Sequence, residues 1–464
     1  MFAVVGYVAC CLLFASLLML SHRPWAHFPR ALVSVVAFSF SHLAAVASGI
    51  YQDGASARSQ ALGGAATGSS GRAVDALSTN PAGLSSLAHP AVEFGLGAGF
   101  VHGEFSNRSN QRAQLDDFGL KPYGALVYPV GPITFGAGLI PDSAMRAAWR
   151  YRDAPGGLDG GTSYGDRDHR AEIEVLRFAL GASYAIAPTF SFGASVGVLY
   201  NRNLLVAPYT IQTQPQLRLA KVLLEMETEG WGVNAQFGIL WKPVPTLQIG
   251  LSYTLASRVV GNGSARTDAG RQLSNLGVTG VDATADFNAE VTNTFPQIVS
   301  AGVTWEATRK LMFVGQVDWI NWADSFDTLE VRLGDVDNDV YRTLLAGNRD
   351  LDDDVPLNWR DQWVFRFGGE YALDDRWTVR AGYRYARNPV PETTLTPLTA
   401  VIGEHVVSAG IGYRAERYSI DLGWQWQLPA DEHVARSGLL NGEYSGSDVK
   451  VSVHWLTLGT RVEF

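Results

Sequence analysis

The chain has 464 residues with a formal net charge of −9, 47% hydrophobic and 11% aromatic residues, and 49 glycines. That acidic balance, with no clustered basic surface, excludes a nucleic-acid partner, because phosphate binding needs such a patch. Its two cysteines, adjacent at Cys10 and Cys11, exclude a disulfide framework and metal sites of the CxxC kind.

The first 47 residues hold two apolar runs, 2–20 and 31–47, separated by a basic stretch at 22–30. The second run reads as a secretory leader. Arg23 and Arg30 precede an apolar stretch over 31–40, and Ala45-Val46-Ala47 is the small-residue cleavage site that leaves Ser48 first. The first run is either an upstream start that is not used, with Met19 at the conventional beginning, or a retained anchor.

Residues 48–89 form a small, polar, glycine-rich segment with GGAATGSSGRAVDALSTNPAGLSSL at its centre. It holds too few large apolar residues to build a core of its own, so another part of the chain must hold it. Within it, Asn80-Pro81-Ala82-Gly83 is expected as a sharp turn. Pro81 fixes its own φ and pushes Asn80 out of the helical region, and Gly83 is available for a positive φ.

From residue 90 to Phe464, apolar residues alternate with small or polar ones at period two. In 418–428, Tyr418, Ile420, Leu422, Trp424, Trp426 and Leu428 share one face, opposite Ser419, Asp421, Gly423, Gln425 and Gln427. Across the segments the second face is rich in glycine, which predicts close approach of backbone or cargo. The oily face carries Trp and Tyr near segment ends, as in the aromatic girdles of a membrane barrel. Beyond residue 47 no apolar run is long enough for a spanning helix. Tight connections at Ala187-Pro188, 242–245, Asp374-Asp375 and Ala415-Glu416 contrast with long polar loops at 201–229, 258–284, 324–360 and 429–447. Short turns on one side and long loops on the other fit an outer-membrane barrel.

The segments number 14 if 282–307 is one strand bent near Pro296, and 15 if it is two; closure favours the even number. The expected fold is all-β, a 14-stranded antiparallel transmembrane β-barrel over residues 90–464. Fourteen strands enclose a lumen too wide for side chains alone to fill, so residues 48–89 are expected as an N-terminal hatch that plugs it.

Within 134–151, Gly136 and Gly138 weaken the strand and Pro141 cannot donate to the ladder. Either pairing fails there inside the wall, or Pro141 ends the strand at a loop. Lumen-side Arg366, Arg380 and Arg384 are candidate partners for a ligand carboxylate; pairing with Glu370 or with a hatch carboxylate is the competing reading. The string Gly193-Ala194-Ser195-Val196-Gly197 matches a nucleophile elbow but lies inside an alternating strand with no helix after it. Asp335, Asp337 and Asp339 lack the glycine and glutamate of a calcium loop. No catalytic, metal-binding or cofactor-binding residue is expected.

Four features together resemble the outer-membrane long-chain fatty acid transporter family, the FadL-like proteins, which also includes channels for aromatic hydrocarbons. They are the stretches 61–87, 295–322 and 358–391 and the Phe464 ending, and the resemblance covers nearly all of the chain after residue 47. It implies a monomeric channel in the bacterial outer membrane, working by diffusion without energy coupling. Extracellular loops would catch a long-chain fatty acid or other hydrophobic small molecule, a lumenal pocket would hold it, and movement of the hatch terminus would release it sideways through the wall. In that pattern Asn80, Pro81 and Ala82 are the hatch motif, and Ser48, Gly49, Ile50 and Tyr51 sit at the pocket. The lateral gap falls at a kinked third strand, for which Gly136, Gly138 and Pro141 are this chain's candidates. Outer-membrane lipid and lipopolysaccharide are expected surroundings, and the terminal Phe464 looks like the signal read by barrel assembly machinery. Aromatic hydrocarbons are the alternative cargo. The rival classes are an outer-membrane lipid-modifying enzyme and a surface adhesin.

Overall fold

In the apolar part of a bilayer every backbone donor and acceptor must be satisfied within the protein, so strands with one oily face survive only in a sheet closed on itself. The computed structural model, which describes residues 50–69 and 71–464, has that form. The expected leader over 1–47 and its expected cleavage site, with Ser48 and Gly49, lie outside the described residues.

The hatch is α1 (Ala57–Ala61), α2 (Ala73–Ser78) and a 3-10 turn (Pro81–Ser86). The wall begins with β1 (Ala91–Asn107), β2 (Asn110–Val130), β3 (Ile133–Arg152), β4 (Asp166–Ala187), β5 (Phe190–Thr210) and β6 (Lys221–Val244). It continues through β7 (Leu247–Thr254), β8 (Ser257–Asp268), β9 (Thr284–Phe295), β10 (Ile298–Glu306), β11 (Leu311–Ile320) and β12 (Thr328–Gly334). The last segments are β13 (Leu351–Pro356), β14 (Gln362–Ala372), β15 (Trp377–Ala386), β16 (His405–Arg414), β17 (Tyr418–Val434) and β18 (Ser447–Glu463).

Neighbouring strands are antiparallel, and β1 closes the sheet against β18 from Ala91↔Glu463 to Ser106↔Asp448. Four barrel strands are each built from two segments. β6 pairs with β7 over one half of its length and with β8 over the other; β10 and β9 then face β7 and β8. In the same way β11 and β12 face β10 and β9, and β14 and β13 face β11 and β12. The wall therefore has the expected 14 strands, and the break between β9 and β10 falls at Pro296 and Gln297. The breaks lie side by side in neighbouring strands, and at two of them the chain turns Trp322, Phe326 and Trp359 inward, where all three are buried.

The long polar loops are shorter than their sequence suggests. β5 runs on to Thr210 and β6 starts at Lys221, so most of 201–229 is strand; β8, β12, β13 and the end of β17 extend into the other expected loops. The reason is an inversion of polarity along the strand. In β6, Trp231, Val233, Phe237 and Trp241 point outward, whereas between residues 222 and 227 Leu224 and Met226 are buried and Glu225 and Glu227 face out. Outward apolar side chains mark the bilayer, outward carboxylates mark water, and the barrel continues above the membrane with its own apolar interior. On the short-turn rim, Tyr128, Trp241, Trp305 and Trp377 are exposed on the outer face as an aromatic girdle.

The glycine-rich inner face meets backbone. A Cβ added at Gly193 would stand 2.4 Å from the hatch at Pro81 and Ala82, at Gly250 2.0 Å from the Thr67 carbonyl oxygen, and at Gly382 2.2 Å from the Gly63 nitrogen. Gly193 belongs to the G-x-S-x-G string, whose first glycine thus makes room for the hatch turn. A Gly193→Leu substitution should weaken hatch docking by about 1–3 kcal/mol through overpacking. The expected readout is faster proteolysis within residues 50–89 while the barrel keeps its heat-modifiable gel mobility; unchanged protection of the hatch would contradict this fit.

Candidate functional site

Asn80 is fully buried and holds the hatch to the wall. Its side-chain oxygen accepts from the Ala82 amide (3.1 Å), capping the 3-10 turn, while Nδ2 donates to the carbonyls of Thr67 (2.9 Å) and of Ile239 in β6 (3.0 Å). Pro81 occupies the first position of that turn, where its missing donor is no loss. Gly83 donates to the Asn80 carbonyl (2.9 Å). The positive φ expected at Gly83 does not occur, because the chain continues into a right-handed 3-10 turn after Pro81. Gly54, Gly63 and Gly64 carry it instead, at 84°, 72° and 84°.

The three arginines all meet carboxylates of the chain. Arg384 Nη2 donates to Asp53 Oδ2 of the hatch at 2.8 Å. Arg366 donates to the other Asp53 oxygen and, through Nε, to Asp318 at 2.8 Å. Arg380 bridges Glu370 (2.6 Å) and Asp421 (2.8 Å), and these pair in turn with hatch Arg58 (3.0 Å) and Arg72. The result is a chain of alternating charge that runs from one hatch arginine through the wall to the other. Burial alone would raise the Asp53 carboxyl, but Arg384 and Arg366 outweigh it and hold its pKa below the usual aspartate value.

Pro141 lies inside β3, which continues to Arg152, and not at a strand end. The β2–β3 ladder runs from Val130↔Ile133 only as far as Gly124↔Leu139. Continuing that register would set Pro122 of β2 opposite Pro141, and neither residue has a backbone donor. Beyond this point β3 pairs only with β4, with a register shift between Pro141 and Ser143, while β2 pairs only with β1. The wall thus has a break between β2 and β3. It is crossed by the Arg146–Asp117 ion pair (2.9 Å) and bounded above by Asn110, whose side chain bonds the Arg152 amide (2.9 Å) and carbonyl (2.8 Å). Gly136 and Gly138 lie just below it, where hatch Leu84 and Leu77 press against the strand.

The start of the hatch reaches this break. Tyr51 forms a bridge with Ser143, and the Ile50 carbonyl accepts from Ala144 (2.9 Å), occupying part of the edge that β2 leaves. Beside it lies a cavity between hatch and wall, which reaches from Tyr51 and Gln52 to Pro141, Asp142, Arg177 and Arg366. Tyr51 also packs on Trp322 at 5.4 Å between ring centroids, and Trp322 on Phe326 and Trp359 at 5.1 Å each. Above, a segment around the 3-10 turn Pro397–Thr399 folds into the lumen, fixed by Trp149 Nε1 donating to the Pro397 carbonyl (3.0 Å). Its Leu395, Leu398, Val401 and Ile402 join the same apolar cluster as Ile50 and Trp322. The arrangement offers an apolar plug above, an amphiphilic cavity in the middle and a break in the wall beside it.

Sequence reasoning missed Asp53, the inward aromatic cluster and Pro122. The last was readable, because Pro122 and Pro141 are equidistant from the tight turn at Gly131-Pro132.

A family model described as outer membrane protein transport protein (OMPP1/FadL/TodX) matches residues 38–464. An outer membrane protein of Neisseria meningitidis serogroup B is 21% identical over 231 residues, 48% of this chain, and the chain spans 47% of the length of that curated relative. Among solved structures, a Pseudomonas aeruginosa FadL homologue superposes with a TM-score of 0.71 at 17% identity, covering 90% of this chain and 100% of the other. The P. putida toluene transporter TodX gives 0.69 at 18% identity, covering 89% and 99%. The Ralstonia pickettii toluene transporter TbuX gives 0.64 at 20% identity, with the same coverage. These likenesses show a shared fold.

Removing one partner of a buried ion pair typically costs about 3–5 kcal/mol. Asp53→Asn should therefore free the first residues of the hatch, seen as protease cleavage near Tyr51 in the variant alone. In the native protein, a depressed Asp53 pKa supplies stability that is full above the ordinary aspartate value of about 3.9 and lost as pH falls through the lower folded value. Protection at Tyr51 should accordingly persist at pH 5 and fail only in stronger acid; loss already at pH 5 would rule this latch out.

Proposed function

Because this chain belongs to the outer membrane transport protein family that includes OMPP1, FadL and TodX, we propose that it is a passive uptake channel for hydrophobic small molecules. Long-chain fatty acids are its main cargo in this reading and aromatic hydrocarbons the alternative. The observation that carries this reading is the cavity beneath the hatch terminus that reaches the break between β2 and β3.

The chemistry of such a route follows from solubility. An acyl chain is expelled by water and by the sugar-rich outer leaflet, and gains about 0.8 kcal/mol per methylene on reaching apolar surroundings. A cargo caught by the apolar plug at Leu395 and Leu398 moves down to the cavity by diffusion once that inward segment gives way. Straight descent meets the hatch, whose backbone lies against the wall, so the break beside Pro141 is the exit and the bilayer receives the cargo. Ile50 and Tyr51 stand in that exit, and their displacement is the step that opens it. In this scheme the channel acts as a monomer in lipid and lipopolysaccharide, with Phe464 as its signal to the assembly machinery, and no bond is made or broken in the cargo. Arg366, Arg380 and Arg384 meet a cargo carboxylate only by giving up a carboxylate of the chain.

Cells with this protein as their sole channel of the kind should take up labelled oleate or labelled toluene. Restoring backbone donors with the double change Pro122→Val and Pro141→Val should extend the β2–β3 ladder and cut that uptake about tenfold at equal surface amount. Uptake of neither cargo would sink the channel reading, and unchanged uptake by the double variant would sink the lateral exit.

A further inference from the structure

The cavity's charges are already balanced within the protein. Arg177 pairs with Asp142 (3.3 Å) and donates to the hatch carbonyl of Leu77 (2.8 Å), and Arg366 is divided between Asp53 and Asp318. A carboxylate entering this space meets the oxygens of Asp142 and Asp318 and two arginines whose charge those aspartates and Asp53 share.

Uncharged hydrogen-bonding groups are what the lining offers. Four amides face the cavity: Gln52, Asn234, Gln236 and Gln316. Gln316 is engaged at both ends, its oxygen accepting from the amides of Ala66 (2.8 Å) and Thr67 (2.9 Å) and its nitrogen donating to Asp318 (2.7 Å). Gln236 Nε2 donates to the carbonyls of Ser78 (3.2 Å) and Thr79 (2.7 Å), which fixes that amide's orientation. Among these amides the buried atoms without a hydrogen-bond partner are one donor, Gln52 Nε2, and two acceptors, Asn234 Oδ1 and Gln236 Oε1; the other such atom of the lining, Arg177 Nε, is held in the ion pair with Asp142. Gln236 is only 2% exposed, and a buried carbonyl with no partner is unfavourable until something donates to it. Leu199, Leu255, Phe295, Ile298 and Ile320 form the apolar part of the lining, beside hydroxyl residues such as Thr254, Ser257 and Ser300.

We propose that this cavity is a binding site for neutral amphiphiles whose head group both donates and accepts a hydrogen bond, such as a long-chain alcohol. The hydroxyl donates to Asn234 or Gln236 and accepts from Gln52, and the alkyl chain lies along Phe295, Ile298 and Ile320. This assignment rests on the uptake reading and narrows it to a head-group class that the fatty-acid and hydrocarbon alternatives both omit. A purely hydrocarbon cargo leaves all three amide atoms unpaired, and an ionised acid has no donor for the two acceptors.

The test uses the protein in lipid nanodiscs at pH 8.5, with tryptophan quenching by 11-bromo-1-undecanol, 11-bromoundecanoate and 1-bromoundecane corrected for partition into empty discs. Trp322, in contact with cavity-lining Tyr51, is the reporter. The alcohol should bind about tenfold more tightly than either of the others. Gln236→Leu should reduce it to the level of 1-bromoundecane without altering the latter, and Gln52→Leu, which changes the hatch and not the wall, should lower the preference in the same direction. Binding of the carboxylate as tight as that of the alcohol overturns the proposal, as does a preference that both variants retain. Equal quenching by all three overturns it while leaving the uptake reading standing; quenching by none overturns both.

Discussion

Everything inside this barrel depends on how closely hatch backbone can approach the wall. At van der Waals distance the hatch groups have no room for wall side chains, so the wall gives up its Cβ atoms where they meet: Gly193 under the Pro81 turn, Gly250 under Thr67, Gly382 against Gly63. Close approach brings the hatch amides and carboxylates within reach of wall partners, and Asn80 and Asp53 use it. A glycine costs strand stability in isolation. In a closed wall whose ladder is otherwise continuous, that cost is spread over neighbours that cannot slip, because a register shift of one residue would turn every oily side chain into the lumen.

The same economy explains where the wall fails. Glycines leave the ladder intact along β4, β5 and β6, so weak strands alone do not open it. Two prolines in register do, since each removes a donor from the same level of one strand pair. The break then persists because its free edges find other partners: β3 takes a short piece of the hatch, and Arg146 and Asp117 span the remainder.

Much of the fold was legible because period-two alternation is a local signal. The residues 418–428 and the last strand read as wall directly, and Pro296 located its own bend. The extracellular extensions were not legible by the same rule, since Glu225 and Glu227 occupy the outward positions that Trp231 and Val233 hold nearer the bilayer; a reader who expects oil outside sees a polar loop. Pairings between distant residues were readable only in kind: a hatch carboxylate was the competing partner for the lumenal arginines, but which carboxylate it is was not readable. Nothing near Asp53 in the chain indicates Arg366 or Arg384, which reach it only after the barrel has closed, and the unpaired amide oxygens of Asn234 and Gln236 emerge only when hatch and wall are brought together. By contrast, Pro141 carried its information locally, and its counterpart Pro122 became visible once the hairpin turn between them was fixed.

The short bridge between Tyr51 and Ser143 has a consequence for the company the protein keeps. An unpaired strand edge is a template on which another chain can add, and sheets with such an edge tend to stick to one another or to nascent chains. Outer-membrane proteins are inserted through a crowded compartment where unfolded strands abound. By laying Ile50 and Tyr51 along part of the β3 edge, the chain shields that stretch from foreign strands, so a wall with a gap in it can pass through assembly without recruiting its neighbours.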